Sequence, residues 1–279
     1  FKVHVHTNNP GTALELALKN GDLEKVKIEN MKLQHENLYV KPKEEDGARI
    51  FVNERVTMSE KGHIIVADTE NLKNEFLKNG ADVVILGGQS KNPSVQDVLN
   101  ALDELDKKII YIYPNNKNII STAKLACEKS EKNAVVMETR TMLEGNIYIK
   151  DKNDEIEKLM EEEKRNISIE VTKAVRDTKV DDLEIKQGNY IALINGKIKY
   201  AENDLKTLVS NVLDQNITKD TMTITVAEGS EKDEQCKKLI EEKSARLYKT
   251  FINGNQENYY YYIYLENKHP NMPEIAILT

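Results

Sequence analysis

Between residues 63 and 137, four apolar runs at 63–67, 82–86, 108–113 and 133–137 alternate with helical patterns at 70–79, 94–106 and 118–130. Near-continuous apolar strands separated by amphipathic helices bury both faces of a sheet, which makes the sheet parallel. The helix at 94–106 is the clearest: Val95, Val98, Leu99, Leu102 and Leu105 share a face, with Ser94 and Asp97 spaced as a cap. Right-handed crossovers then bring the C-terminal ends of all four strands to one edge. The predicted fold class is α/β, with a mostly parallel doubly wound sheet at 62–145.

The flanks read differently. Residues 1–39 form a short βαβ remnant of another domain, with Val3 and Val5 on one strand face and His4 and His6 on the other. Residues 40–61, with Pro42 and Gly47 in a polar stretch, are a linker and entry segment. Residues 146–279 read as an α+β subdomain of the same C-terminal domain. It has a helix at 153–164, a strand at 167–175 and a hairpin of 190–194 and 197–200 about Asn195-Gly196. A helical stripe follows at Leu205, Leu208, Val209, Val212 and Leu213, and strands at 221–227, 246–252 and 259–265 enclose a helix at 231–243. A chain that opens at Phe1, inside a strand pattern, is expected to be a piece of something longer.

The charge balance narrows the partners. The formal charge is −7, and acidic residues interleave with the lysines, so no basic face meets a phosphate backbone and nucleic acid is excluded as a partner. No run approaches the ~20 apolar residues of a membrane span. Cys127 and Cys236 suggest no disulfide framework. A cytoplasmic protein is expected.

Three loops fall on the C-terminal edge. Gly87-Gly88-Gln89-Ser90-Lys91-Asn92-Pro93-Ser94 combines backbone freedom at Gly87 and Gly88 with neutral hydrogen-bonding groups on Gln89, Ser90, Asn92 and Ser94. It is neither a P-loop nor Gly-x-Gly-x-x-Gly, and a plain tight turn capped by Ser94 stays open. Asn115, Asn116, Lys117 and Asn118 form the second loop, and Arg140 sits in the third, suited to a carboxylate or phosphate. On 259–265, Tyr260, Tyr262 and Tyr264 share a face expected to meet a partner, a strand buried on both faces being the other reading. His4 and His6 have the strand geometry that zinc accepts, though two ligands complete no site.

These residues carry a resemblance. The run Phe1 to Gly11 with Lys27-Ile28-Glu29-Asn30-Met31 resembles the end of the middle domain of bacterial fatty acid kinase catalytic subunits. Gly87 to Ser94, Pro114 to Ile119 and Ala174-Val175-Arg176-Asp177-Thr178 resemble motifs of that family's C-terminal domain, in the same order. These multidomain proteins carry a dihydroxyacetone-kinase-L-like domain at the N-terminus. The resemblance implies a parent that phosphorylates a fatty acid carboxylate with ATP and Mg, the acid being presented by a DegV-type fatty-acid-binding protein. It implies a DegV-like fold for the C-terminal domain and a role for it in docking that carrier. His4 and His6 match a metal-associated pair tied to phosphoryl transfer, whose cysteine partner would lie upstream of Phe1. The ATP site belongs to the N-terminal domain, so the fragment is not expected to catalyse alone.

There are departures from the family pattern. Ser90 and Lys91 stand where Thr and Met are usual, the 144–167 segment is short, and the Tyr-rich strand runs on towards Pro270. Two rivals to docking stay open: a domain that itself binds a small carboxylate or fatty acid, and a hydrolase or phosphatase using His4 and His6. Homodimerisation also stays open.

Overall fold

The structure is a computed structural model that describes residues 7, 9–23, 26, 48–54, 59–87, 92–150 and 165–268. The chain divides into two compact units, Phe1–Tyr39 and Val40–Thr279. In the first, Pro10 opens helix α1 (Pro10–Leu18), where its missing N–H costs nothing. The Asn20 side chain donates to the Leu16 carbonyl at 3.0 Å as the helix ends. The strand expected over 2–6, with His4 and His6, lies outside the described residues.

The second unit is mixed α/β, with parallel and antiparallel sheets. Its first sheet is built from β1 (Arg49–Val52), β2 (Lys61–Ala67), β3 (Val83–Leu86), β4 (Ile109–Tyr113) and β5 (Ala134–Val136), in the order β1-β3-β2-β4-β5. β2 through β5 are parallel, and β1 joins β3 antiparallel. Helices α2 (Glu70–Asn79), α3 (Val95–Asp103) and α4 (Lys117–Lys129) connect the parallel strands. Period-2 alternation divides the core. Ile64, Val66, Ile110 and Ile112 pack with Val98, Leu102, Ile119 and Ala123 from α3 and α4. Ile65, Ala67, Tyr111 and Tyr113 pack with Leu72 and Phe76 from α2. Ser94 and Asp97 form a reciprocal capping box at the start of α3.

After α5 (Gly145–Lys150) the chain builds a second sheet. Its strands are β6 (Ile167–Lys173), β9 (Tyr190–Ile194), β10 (Lys197–Glu202), β11 (Thr221–Glu228), β12 (Tyr248–Asn253) and β13 (Tyr259–Asn267), ordered β10-β9-β6-β13-β11-β12. A small hairpin of β7 (Thr178–Val180) and β8 (Leu183–Ile185) interrupts this order in sequence. Asn195 and Gly196, with φ of 49° and 77°, make the turn between β9 and β10. Helix α6 (Leu205–Asn216) follows β10, and α7 (Glu234–Lys243) bridges β11 and β12, the pair in this sheet that runs parallel. Together α6 and α7 cover the Ile169, Val171, Tyr261 and Ile263 face. The opposite face delivers Ala227, Ile252, Tyr262 and Tyr264 into the same core as Ile65, Ala67 and Tyr113. That shared core brings β11, β12 and β13 against the first sheet.

This packing corrects one expectation. Tyr262 and Tyr264 are 3% exposed, so they join the two sheets and form no partner surface. Tyr260, displaced by the irregular register between Tyr259 and Tyr261, stays half-buried. It donates to Glu231 at 2.8 Å and meets Tyr190 edge-on.

Candidate functional site

The order of the parallel strands reverses between β2 and β4. At such a reversal the following loops diverge and leave a crevice beyond the strand ends. β2 ends in Asp68 and Thr69. Thr69 caps α2, accepting from the Leu72 N–H at 3.1 Å, and its hydroxyl donates to the Gly254 carbonyl at 2.6 Å. Asp68 faces the second sheet, where the Tyr262 hydroxyl donates to its Oδ2 at 2.6 Å. Its Oδ1 is buried with no hydrogen-bond partner.

β4 ends in Pro114-Asn115-Asn116. Asn115 takes a left-handed φ of 53° and is 2% exposed. Its Nδ2 donates to the Val66 carbonyl at 3.0 Å, its Oδ1 accepts from the Gly145 N–H at 3.0 Å, and its own N–H reaches Thr139 Oγ1 at 2.9 Å. Asn115 therefore clasps the ends of β2, β4 and α5, and its side chain is committed to the backbone. Gly145 permits that approach: a Cβ there would lie 2.6 Å from Asn115 Oδ1. Asn116 caps α4 by accepting from the Asn118 N–H at 2.9 Å. Lys117 and Asn118 are exposed on the rim.

The loop after β5 holds Glu144, whose Oε2 accepts the N–H groups of Arg140 at 2.5 Å and Thr141 at 3.1 Å. Arg140 itself is exposed, 3.8 Å from Glu138. The Thr141 hydroxyl accepts from Ser168 on β6 at 2.6 Å. Glu170, two residues further along β6, lies on that same strand face.

The electrostatics single out three carboxyls. Burial, and then the charges of Asp68 and Glu144, push Glu170 up to about 7, with Lys117 opposing. Burial raises Asp68 while its bond from Tyr262 opposes. Burial also raises Glu144, against its backbone donors and Arg140. The Tyr262 phenol is driven well above its ordinary range by burial and by Asp68.

The three predicted loops thus reach one edge, but their residues divide by role. Gly87 is buried and donates to the Ala67 carbonyl at 2.9 Å. Gly88, Gln89 and Ser90 lie outside the described residues. Asn92 is exposed, and Ser94 is the α3 cap. Asn115 and Asn116 are structural, which leaves Asn92, Lys117, Asn118 and Arg140 as the available rim. Asp68, Glu144 and Glu170 were not among the sequence candidates, although the polar Ser168 and Glu170 between Ile167, Ile169 and Val171 marked a strand face turned to something other than a plain core. Among the described residues no cluster of three His, Cys, Asp or Glu is arranged to hold a metal ion. Among them, too, no helix is long and apolar enough to cross a membrane.

The fold is also that of a kinase of known structure. The crystal structure of the dihydroxyacetone kinase of C. freundii superposes with a TM-score of 0.59 over 96% of this chain and 57% of that one, at 10% identity. Residues 62–266 match the FakA-like C-terminal domain of fatty acid kinases, and residues 1–38 match the FakA-like middle domain. The chain belongs to this FakA-like fatty acid kinase family. An uncharacterised protein of Staphylococcus saprophyticus is 33% identical, covering 86% of this chain and 44% of its own length. Protein YloV of Bacillus subtilis is 30% identical, covering 95% and 49%. The chain spans about half the length of the curated relatives it matches.

Proposed function

We propose that this chain is the carrier-docking C-terminal part of an ATP-dependent fatty acid kinase, and that it presents a DegV-type fatty-acid-binding protein to the kinase's catalytic domain. On this reading the domain is itself DegV-like, and ATP and Mg are held by parts of the parent outside the chain. The chain's own contribution is positional: it orients the carrier so that the acid's carboxylate meets the transferring phosphate. His4 and His6 keep their assignment as a zinc-suited pair in the middle-domain portion.

The observation that carries the reading is that, among the described residues, the space behind the rim is filled. An acyl chain needs a cavity of roughly 300 Å³ or more. Here Tyr113 and Tyr148 stack at 5.4 Å, and Met142, Leu143, Tyr262 and Tyr264 pack into the same core. The rival small-carboxylate reading is disfavoured by charge, since Asp68, Glu144 and Glu170 oppose an anion at the crevice. An exposed polar rim of Asn92, Lys117, Asn118 and Arg140 suits a protein surface that associates reversibly.

Calorimetric titration of the chain with lipid-loaded carrier, beside free fatty acid, tests the proposal. Heat with the carrier and none with the free acid is expected. Heat with the free acid alone overturns docking and makes this a lipid-binding domain.

A further inference from the structure

We propose that the cavity between the C-terminal ends of α6 and α7 binds a small phosphomonoester, a doubly charged head group on a short apolar body. The cavity holds about 550 Å³, within the roughly 300–1,000 Å³ of small-molecule sites. It is independent of the docking reading, since α6 and α7 cover the sheet face turned away from the first sheet. Leu213 and Ile217 supply apolar wall, and Lys219, Lys243 and Arg246 bring positive charge beside Asp214. The Ile217 N–H closes α6 on the Leu213 carbonyl at 2.9 Å, and the chain then turns through Thr218 into β11. Arg246, just past the end of α7, spans that turn. It donates from Nη1 to the Thr221 carbonyl at 3.2 Å and from Nη2 to the Thr218 carbonyl. Asp214, Thr218, Lys219 and Arg246 are all exposed, so the cavity is open to solvent.

Charge decides the ligand. Three cations face one carboxylate, a surplus of two positive charges in a chain whose formal charge is −7. Helix ends attract cations for their own carbonyls, but α7 has a separate group for that task. Lys249 Nζ donates to the carbonyls of Ser244, Ala245 and Leu247 at 3.1, 3.2 and 3.2 Å. Lys219 has no ion-pair or hydrogen-bond partner for its side chain among the described residues. Lys243 meets Asp214 at 2.6 and 2.5 Å, an exposed pair that holds little energy and leaves ammonium hydrogens over. The Arg246 guanidinium has five N–H donors, of which the turn takes two. A carboxylate would cancel half of the surplus. A phosphomonoester, carrying about −1.5 to −2 at neutrality, cancels it and offers three acceptor oxygens to the donors left over. Its carbon chain lies on Leu213 and Ile217.

The test follows the methyl resonances of Leu213 and Ile217 by NMR as the 279-residue chain is titrated with n-butyl phosphate. n-Butyl sulfate serves as the singly charged control, inorganic phosphate as the head group alone and butan-1-ol as the body alone, at matched ionic strength. Saturable shifts with butyl phosphate are expected, tighter above neutrality than near pH ~5, where the ester regains a proton. Lys219→Gln, at an exposed position that the fold does not use, should weaken binding about threefold. Asp214→Asn, which frees Lys243, should tighten it by a similar factor. Shifts that butan-1-ol reproduces, or butyl sulfate binding as tightly as butyl phosphate, overturn the inference. Inorganic phosphate binding as tightly as its ester overturns it as well, because the apolar wall would then contribute nothing. An affinity that Lys219→Gln and Lys243→Gln both leave unchanged does the same.

Discussion

The Tyr262 hydroxyl bonds Asp68 Oδ2 at 2.6 Å across 194 residues of sequence. It joins the middle of β13 to the end of β2, so the chemistry of the first sheet's edge is set partly by the second sheet. A phenol that donates to a carboxylate shielded from water holds the charge in place and fixes the ring that fills the space behind it.

Tyr262→Phe keeps the ring and removes that donor. With Asp68 left short of a partner on both oxygens, the loss should be about 1–3 kcal/mol, read from urea unfolding. Tyr262→Phe combined with Asp68→Asn should cost less than the two single losses added together, since the residues act as a pair.

Glu170 makes stability depend on pH. Its folded value of about 7 stands above the ordinary 4.5, so folding takes up a proton between the two. Stability is full below the lower value, falls as pH rises through the window and levels off above the upper one. Glu170→Gln should flatten this slope and leave the protein about 1–3 kcal/mol more stable than wild type above neutrality. Denaturant midpoints measured across that window check both the sign and the size.

Asn115 is predicted to be intolerant of change. Asn115→Ala strands the Gly145 N–H and the Val66 carbonyl, and asks a residue with a Cβ to keep a positive φ without the local bonds that help Asn do so. A loss of about 3 kcal/mol is expected. Asn115→Gly should recover only the backbone part, and thermal unfolding of the two variants separates the contributions.

The rim should matter for binding and little for folding. Asn92→Trp and Asn118→Trp place a bulky ring at exposed positions, so stability should move by no more than about 0.5 kcal/mol. Carrier affinity in calorimetry should fall about tenfold or more, because both positions lie on the proposed docking rim. Ser94→Ala should do the reverse, costing about 1 kcal/mol through the lost cap while leaving affinity unchanged.

The parallel sheet was legible because its strands are continuous apolar runs and its helices have clean stripes. Ser94 with Asp97, and Asn195-Gly196, are local signals that sequence spacing states directly, and the structure has both. The crevice was legible only as a location. Asn115 and Asn116 were visible as polar loop residues, yet a polar side chain at a strand end serves the backbone as readily as a ligand, and here it serves the backbone. Asp68 reads locally as a residue ahead of a helix cap, and Glu170 as one polar position in an alternating strand. Their meeting depends on how the second sheet lies on the first, which no local pattern encodes. Tyr262 and Tyr264 of β13 failed as a surface for the same reason. Alternation assigns them to a face and leaves open what covers it.

β1 lies antiparallel along β3, with Arg49 opposite Leu86 and Val52 opposite Val83. It thereby occupies the hydrogen-bonding edge that the parallel strands would otherwise offer on that side. β1 is itself the last strand in the sheet order, so the edge open to β-augmentation at this border is that of a four-residue strand beginning at the exposed Arg49. If two copies of the chain associate along that margin, the backbone ladder between them is limited to the four residues of β1, and the rest of the contact has to come from side chains.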